Sequence, residues 1–410
     1  MKPNTLLHRA VLLVFVASTL GAAAPACADA VTEWNAKAAD LTVEARLSPG
    51  LAICAMAAAQ TAVYVATNAI TKKYPGGMTL DAAPGASVDA AVAAANRAVL
   101  VKFMPAAQAS IDRAYQAALA PIADGAAKTT GVDLGERAAA SVLAMRSGDL
   151  NLPPDQYRPV TTAGTYVPTV TPAAVPWPQR KPWLMSSASQ FRPGPPPALT
   201  SATWARDYNE IKAVGGRNST ERTSEQTAIA KFWEATLPPI YQGLVRSVAE
   251  RPGREITANA RLFAAAAQAQ DDALIAVFDA KYQYMFWRPL TAIRNGDIDG
   301  NDATERDAGW TPLIDTPMHP EYPCAHCISA GAIGAVLKAE IGDGPVGTLT
   351  TTSYLVGNEK RSWTSIDAVV AEVSNARIYD GVHYRNSTEV GSAMGRQIGE
   401  LAATTFYGKK

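Results

Sequence analysis

Three short segments in the last third of the chain carry the residues best suited to chemistry. Lys281 and Arg288 lie in Lys-Tyr-Gln-Tyr-Met-Phe-Trp-Arg-Pro, residues 281–289. His326 closes Pro-Cys-Ala-His, residues 323–326, and Arg377 and His383 bracket Arg-Ile-Tyr-Asp-Gly-Val-His, residues 377–383. Together they supply three cations and two imidazoles, from a chain with only four histidines. Guanidinium groups match oxyanion geometry with a planar fork, and an imidazole attacks or ligates through one ring nitrogen. The set therefore suits a tetrahedral or trigonal-bipyramidal oxyanion, and phosphate and vanadate fit it equally.

Each segment also has a plainer reading. Lys281 and Arg288 are seven residues apart, so on one helix they share a face about two turns apart. Pro289 then ends or kinks that helix. A solvated basic face is the usual fate of such a pair, but Tyr282, Tyr284, Phe286 and Trp287 argue against exposure. His326 opens a predicted helix, where free N–H groups and the dipole favour an anion; taken alone, a capping or core histidine is the commoner case. Arg377 falls at a helix end, Gly381 permits a tight turn, and His383 returns toward the same point. A second nitrogen of His383 then needs an acceptor to fix its tautomer. His319, in Met-His-Pro-Glu-Tyr-Pro, reads as a supporting loop residue.

The elements that must position these groups are helical. Residues 34–147 are Ala-rich with helical spacing, as in Val88, Ala91, Val92, Ala95 and Val99. Four or five helices are expected, broken near residues 75–77, 84–85 and 125. Residues 51–70 are apolar but carry Gln60, Thr61, Thr67 and Asn68, which indicates a buried helix and no stable membrane span. Proline is dense over 150–200, which excludes helix and central strand. Trp177, Trp183, Tyr157, Tyr166 and Phe191 make this an ordered extended segment, not a linker. Helices return from Ser201: a capping box at Thr223 to Gln226, then helices over 256–287, 326–341, 362–379 and 387–406, with short period-two pieces near 346–356. The fold class is all-α, divided as a helical scaffold over 31–149, the extended segment, and a helical half with the oxyanion site over 201–410.

The 410 residues are 48% hydrophobic, enough for a large core, and 37 Lys and Arg balance 37 Asp and Glu. That balance argues against a nucleic-acid or acidic-lipid surface, so any strong positive field is local. Residues 1–30 read as a signal peptide: Lys2 and Arg9, an apolar run over 10–24, then Ala28-Asp29-Ala30. Cleavage after Ala30 implies a secreted or periplasmic protein starting at Val31. It leaves Cys54, Cys324 and Cys327. For the last two, a local disulfide, a Cys/His zinc site and a pair of buried thiols all stay open.

The three segments, in this order and at these spacings, resemble the superfamily of vanadium-dependent haloperoxidases and acid phosphatases, including type 2 phosphatidic-acid phosphatases. Its pattern is K-x6-R-P, then P-S-G-H, then S-R-x5-H with an aspartate four residues later. Ser189-Gln-Phe-Arg-Pro193, Arg222-Thr-Ser-Glu-Gln-Thr-Ala-Ile-Ala-Lys-Phe-Trp233 and Phe286-Trp-Arg-Pro-Leu-Thr-Ala-Ile-Arg294 are similar to its soluble haloperoxidase-like branch. The resemblance implies a helical bundle in which Lys281, Arg288, Arg377 and the Ala325 N–H hold oxyanion oxygens. His383 becomes the vanadium ligand or phosphate nucleophile, and His326 the acid–base group.

Two functions follow as expectations: a vanadate-dependent haloperoxidase using hydrogen peroxide and halide, or a metal-free phosphomonoesterase acting through a phosphohistidine at His383. Departures motivate a third, a non-catalytic oxyanion-binding protein. Cys324-Ala325 stands where the family has Ser-Gly, Ala376 precedes the last arginine, and Ser387 stands where the aspartate is expected. Asp380 and Glu389 are the candidates to orient His383 instead.

Overall fold

The computed structural model describes residues 29–75, 78–155 and 157–408. The fold is all-α: thirteen α-helices and one two-stranded antiparallel hairpin among the described residues. The expected signal peptide lies outside the described residues, apart from Asp29 and Ala30. These two begin helix α1 (Ala30–Glu44), where the Asp29 carboxylate accepts from the Thr32 N–H and the Asn259 side chain, both at 2.8 Å.

The Ala-rich first third forms α1, α2 (Pro49–Thr71), α3 (Val88–Phe103), α4 (Gln108–Leu119) and α5 (Ala126–Met145), with breaks where proline and glycine fall. Helix α2 is long and apolar enough to cross a membrane, but 83% of its most apolar window is buried inside the protein. After the Pro-rich segment come α6 (Ala202–Val214), α7 (Ser224–Trp233), α8 (Pro238–Ala249), α9 (Ile256–Tyr284) and α10 (Pro289–Arg294). Helix α7 carries the expected capping box: Gln226 N–H donates to Thr223 Oγ1 and Thr223 N–H to Gln226 Oε1. Then follow α11 (Ala325–Ile341), β1 (Leu349–Ser353), β2 (Glu359–Trp363), α12 (Ile366–Tyr379) and α13 (Arg385–Tyr407). The helix expected over 362–379 starts later because residues 362 and 363 complete the hairpin, in which Leu349 pairs with Trp363.

Helix α9 is the central wall. At about 1.5 Å per residue its 29 residues are long enough to pack on α2 along one side and on α11 and α13 along the other. One continuous hydrophobic core draws residues from both halves of the chain. The contact between α11 and α13 is unusually close. A Cβ at Gly395 would collide with the Ile328 carbonyl oxygen, and one at Gly399 with that of Ala332. Removing side chains there brings the start of α11, with His326, close to the start of α13, just after His383.

Over its described residues the Pro-rich segment forms neither α-helix nor named strand, only one 3₁₀ turn at Trp177–Gln179. Buried charges fasten it. Arg180 donates to Asp271 of α9 at 2.6 and 2.8 Å and to Asp149 at 3.0 Å. Asp272 accepts from the N–H groups of Trp183, Leu184 and Met185 at 2.6, 2.8 and 3.0 Å. Cys54, Asp149 and Asp271 stand close enough together to resemble a metal site. Arg180 and Arg146 already occupy those carboxylates, so the cluster is a charge-paired fastening.

Candidate oxyanion site

Lys281 sits in the last turn of α9, fully buried, and donates to the carbonyl oxygens of Pro320 at 2.9 Å and Glu321 at 2.7 Å. A third N–H remains. Arg288 does not share its helix face, as the spacing had implied. Helix α9 stops at Tyr284, Met285 turns left-handed at φ 53°, and Arg288 is the extended residue before Pro289 opens α10. The Pro-rich segment holds this bend in place: Tyr166 N–H donates to Met285 O and Trp287 N–H to Gly164 O. Arg288 still reaches the site. It donates to His319 O at 2.9 Å, Val382 O at 2.8 Å, His319 Nδ1 at 2.9 Å and His383 Nε2 at 3.2 Å.

Arg377 lies in the last turn of α12, pairs with Asp380 at 2.8 Å and donates to Trp233 O at 3.2 Å. Gly381, at φ 86°, then makes the expected tight turn, and the His383 N–H returns to Arg377 O at 3.0 Å. The expected acceptor for His383 is corrected here. Asp380 is engaged with Arg377, and Glu389 is exposed on α13. The group on His383 Nδ1 is Glu321, with Oε1 at 2.8 Å, and the same oxygen accepts the Tyr384 N–H at 3.0 Å. Because Nδ1–H donates to Glu321, Nε2 carries the lone pair, which the Arg288 donor confirms.

Cys324 is the N-cap of α11 and forms a disulfide with Cys327, which settles the open cysteine question in favour of the local bridge. Cys54 stays a buried free thiol. Ala325 is the first helical residue, so its N–H has no acceptor within the helix. His326 lies in the same turn. Its Nε2–H donates to Ala235 O at 3.3 Å, which leaves Nδ1 bare.

Burial shapes the electrostatics. It pushes the Lys281 ammonium well below its usual range, aided by Arg288, and brings Arg288 down to about 10. The imidazoles of His319, His326 and His383 are pushed well down, by burial first and neighbouring cations second. Glu321 and Asp380 are raised to about 7, again by burial. Three buried cations thus face two reluctant carboxylates, and the Arg377 Nε–H is buried with no partner. An anion with several oxygens answers both the charge and the free donors, so the residues present fit phosphate or vanadate.

A cavity of about 360 Å³ opens onto this site. Ala325, His326, Arg377, His383 and His319 form one part of its lining, and Phe278, Leu274, Tyr241, Ile314 and Trp177 another. The first turn of α2 also contributes, through Pro49, Gly50 and Ile53. The amino-terminal third therefore does more than scaffold, and no residue type in it announced that role. A side chain at Gly50 would strike the Trp177 ring, so the two walls touch there.

These features define an all-α protein in which Arg377, His326 and His383 line one cavity and Arg288 donates to His383 beside it. Residues 261–407 match the family model described as the VCPO second helical-bundle domain. Vanadium chloroperoxidase from Curvularia inaequalis is 30% identical over 193 residues, covering 40% of this chain and 31% of that protein. The chain thus spans about a third of the length of the curated relative it matches. The fold is shared with a bacterial vanadium-dependent iodoperoxidase at TM-score 0.75 and 22% identity, over 91% of this chain and 95% of that one. It is shared too with an apo-type bacterial vanadium-dependent chloroperoxidase at TM-score 0.71 and 16% identity, over 88% and 94%. Over residues 261–407 the chain is thus similar to a helical-bundle domain of vanadium chloroperoxidase, and its overall fold is that of the bacterial vanadium-dependent haloperoxidases.

Proposed function

We propose that this protein is a vanadate-dependent haloperoxidase that uses hydrogen peroxide to oxidise halide. The observation that carries the reading is the Nε2 lone pair of His383, which accepts from Arg288 at 3.2 Å while Glu321 holds Nδ1 at 2.8 Å, with Lys281 and Arg377 close by. Vanadate held there supplies a Lewis-acidic centre that activates peroxide. Lys281 and Arg377 offer free N–H donors to its oxygens, and the Ala325 N–H adds a helix-end donor. Arg288, which donates to Nε2 here, would be free to donate to an oxyanion oxygen once that nitrogen were engaged. His326, bare at Nδ1 and kept neutral by burial, would be the group to take up a proton from peroxide and give it back.

The mostly apolar cavity limits water beside the site and admits a small organic halogen acceptor. Glu234 and Asp315 also line it, which disfavours an anionic acceptor. A cleavable leader would place the chain in an oxidising compartment, which suits the Cys324–Cys327 bridge.

A metal-free phosphomonoesterase is the second reading, because the same Nε2 lone pair is a competent nucleophile. It would bond to phosphorus as the ester P–O bond breaks, with His326 protonating the departing alkoxide once it has taken up a proton. A purely binding role is less well supported, since the loss of the expected aspartate at position 387 is answered by Glu321. Paired turnover on one sample separates these readings. Vanadate-dependent dye bromination, blocked by phosphate, supports the first. Phosphate release from a chromogenic ester without bromination replaces it with the second, and silence in both assays leaves only the binding role.

A further inference from the structure

The family pattern places a carboxylate four residues after the last histidine, and this chain has Ser387 there. We propose that Glu321 is the relocated carboxylate: a positioning residue that fixes the His383 tautomer from the loop before α11 and not from α13. The inference rests on the reading of His383 as the oxyanion-binding nitrogen.

The geometry ties Glu321 into the site at three points. Its side chain accepts the His383 Nδ1–H at 2.8 Å and the Tyr384 N–H at 3.0 Å. Its main-chain carbonyl accepts Lys281 Nζ–H at 2.7 Å. Its own N–H donates to Phe286 O at 2.8 Å, in the bend between Lys281 and Arg288. One residue therefore sets the ring of the third segment and the ammonium of the first. The Glu321 side chain is fully buried, so it holds this position without competition from water.

Position 387 explains why the exchange works. Ser387 is buried in the first turn of α13, and its side chain stands beside the Glu321 carboxylate. A second carboxylate at 387 would face Glu321 across a dry site, where two like charges repel strongly. Serine removes that conflict and leaves the space that Glu321 fills. The two positions are alternatives for one job, which makes the exchange reversible by mutation.

Orthovanadate and orthophosphate, titrated into the metal-free full chain, provide the test. Vanadate bonds to Nε2 and needs the proton on Nδ1, whereas phosphate needs only the cations. The ratio of the two affinities therefore isolates His383 from the change in net charge. In Glu321→Ala the vanadate-to-phosphate ratio should fall about 10- to 100-fold, the usual effect of losing such an orienting partner. Nitrogen NMR of the labelled histidines should show the Nδ1–H tautomer of His383 lost, with His383→Ala assigning the signal. Adding Ser387→Asp to Glu321→Ala should restore the tautomer and most of the ratio.

An unchanged ratio and tautomer in Glu321→Ala overturns the proposal, as does a double variant that folds but recovers neither. Glu321→Gln covers a failure of the alanine variant to fold: it keeps an acceptor of the same reach, so the tautomer should persist while the ratio drops by a smaller factor. A ratio equal to wild type there also overturns the proposal. A wild-type chain that binds neither anion defeats the functional reading instead, and the NMR tautomer still decides the role of Glu321.

Discussion

Replacing Arg377 with methionine separates the binding role of its charge from its structural role. The side chain is buried, pairs with Asp380 at 2.8 Å and keeps its Nε–H without a partner. If that N–H and the charge serve the anion, the substitution removes at least one charge-assisted hydrogen bond, worth about 1.5–3 kcal/mol. At about 1.4 kcal/mol per tenfold, orthophosphate affinity should fall roughly 10- to 150-fold. The fold should suffer separately, because Asp380 loses its partner in a dry site. Breaking a buried pair costs about 3–5 kcal/mol, but Asp380 is raised to about 7 by burial even beside Arg377, so it escapes part of that cost by taking up a proton. Adding Asp380→Asn should return most of the lost stability and none of the lost affinity. Calorimetric titration with orthophosphate and urea unfolding measure the two effects on the same samples. Phosphate affinity within twofold of wild type, in a folded Arg377→Met protein, would refute the placement of Arg377 in the anion site.

Further outcomes follow from the same geometry. Gly395→Ala pushes a methyl group into the Ile328 carbonyl; overpacking of about 1–3 kcal/mol should outweigh a helix-propensity gain of about 1 kcal/mol, so the urea midpoint should fall, and a rise would show that α11 and α13 separate freely. Asp271→Asn removes the main partner of Arg180 and should destabilise by about 3–5 kcal/mol, with faster proteolysis within residues 150–200; an unchanged cleavage rate would mean that other contacts hold the segment. Glu321 is raised from 4.5 to about 7, so its stabilising contribution is full below about 4.5 and lost as pH rises through 7. Relative to Glu321→Gln in phosphate-free buffer, wild type should therefore lose up to about 3 kcal/mol between pH 5 and pH 8, and a pH-independent difference would contradict the shift.

The sequence made the chemistry legible where it depends on residue type at short range. Residue type and spacing singled out Lys281, Arg288, His326, Arg377 and His383 as candidates, and they pointed to the turn at Gly381 that the structure contains. Helix periods and proline breaks placed α2, α9 and α11 closely. What escaped depended on the path of the chain between elements. Glu321 meets His383 across 62 residues, through a loop whose course no period encodes; the only hint was an acid set between prolines in His-Pro-Glu-Tyr-Pro, just before His326. Arg288 looked helical because spacing was extended past Met285, whose left-handed turn is fixed by contacts with the Pro-rich segment. The cavity wall at Pro49–Ile53 is ordinary apolar sequence, made functional only by packing. The Cys324–Cys327 spacing admitted several chemistries until the first turn of α11 brought the two sulfurs together.

The central claim is that His383 Nε2 is the atom that engages the oxyanion. Diffraction from crystals soaked in orthovanadate tests it most directly. The account predicts density bonded to Nε2, with oxygens reached by Lys281, Arg288 and Arg377 and with Glu321 still on Nδ1. Vanadate bound elsewhere, or His383 turned away from Glu321 to present Nδ1, would contradict it.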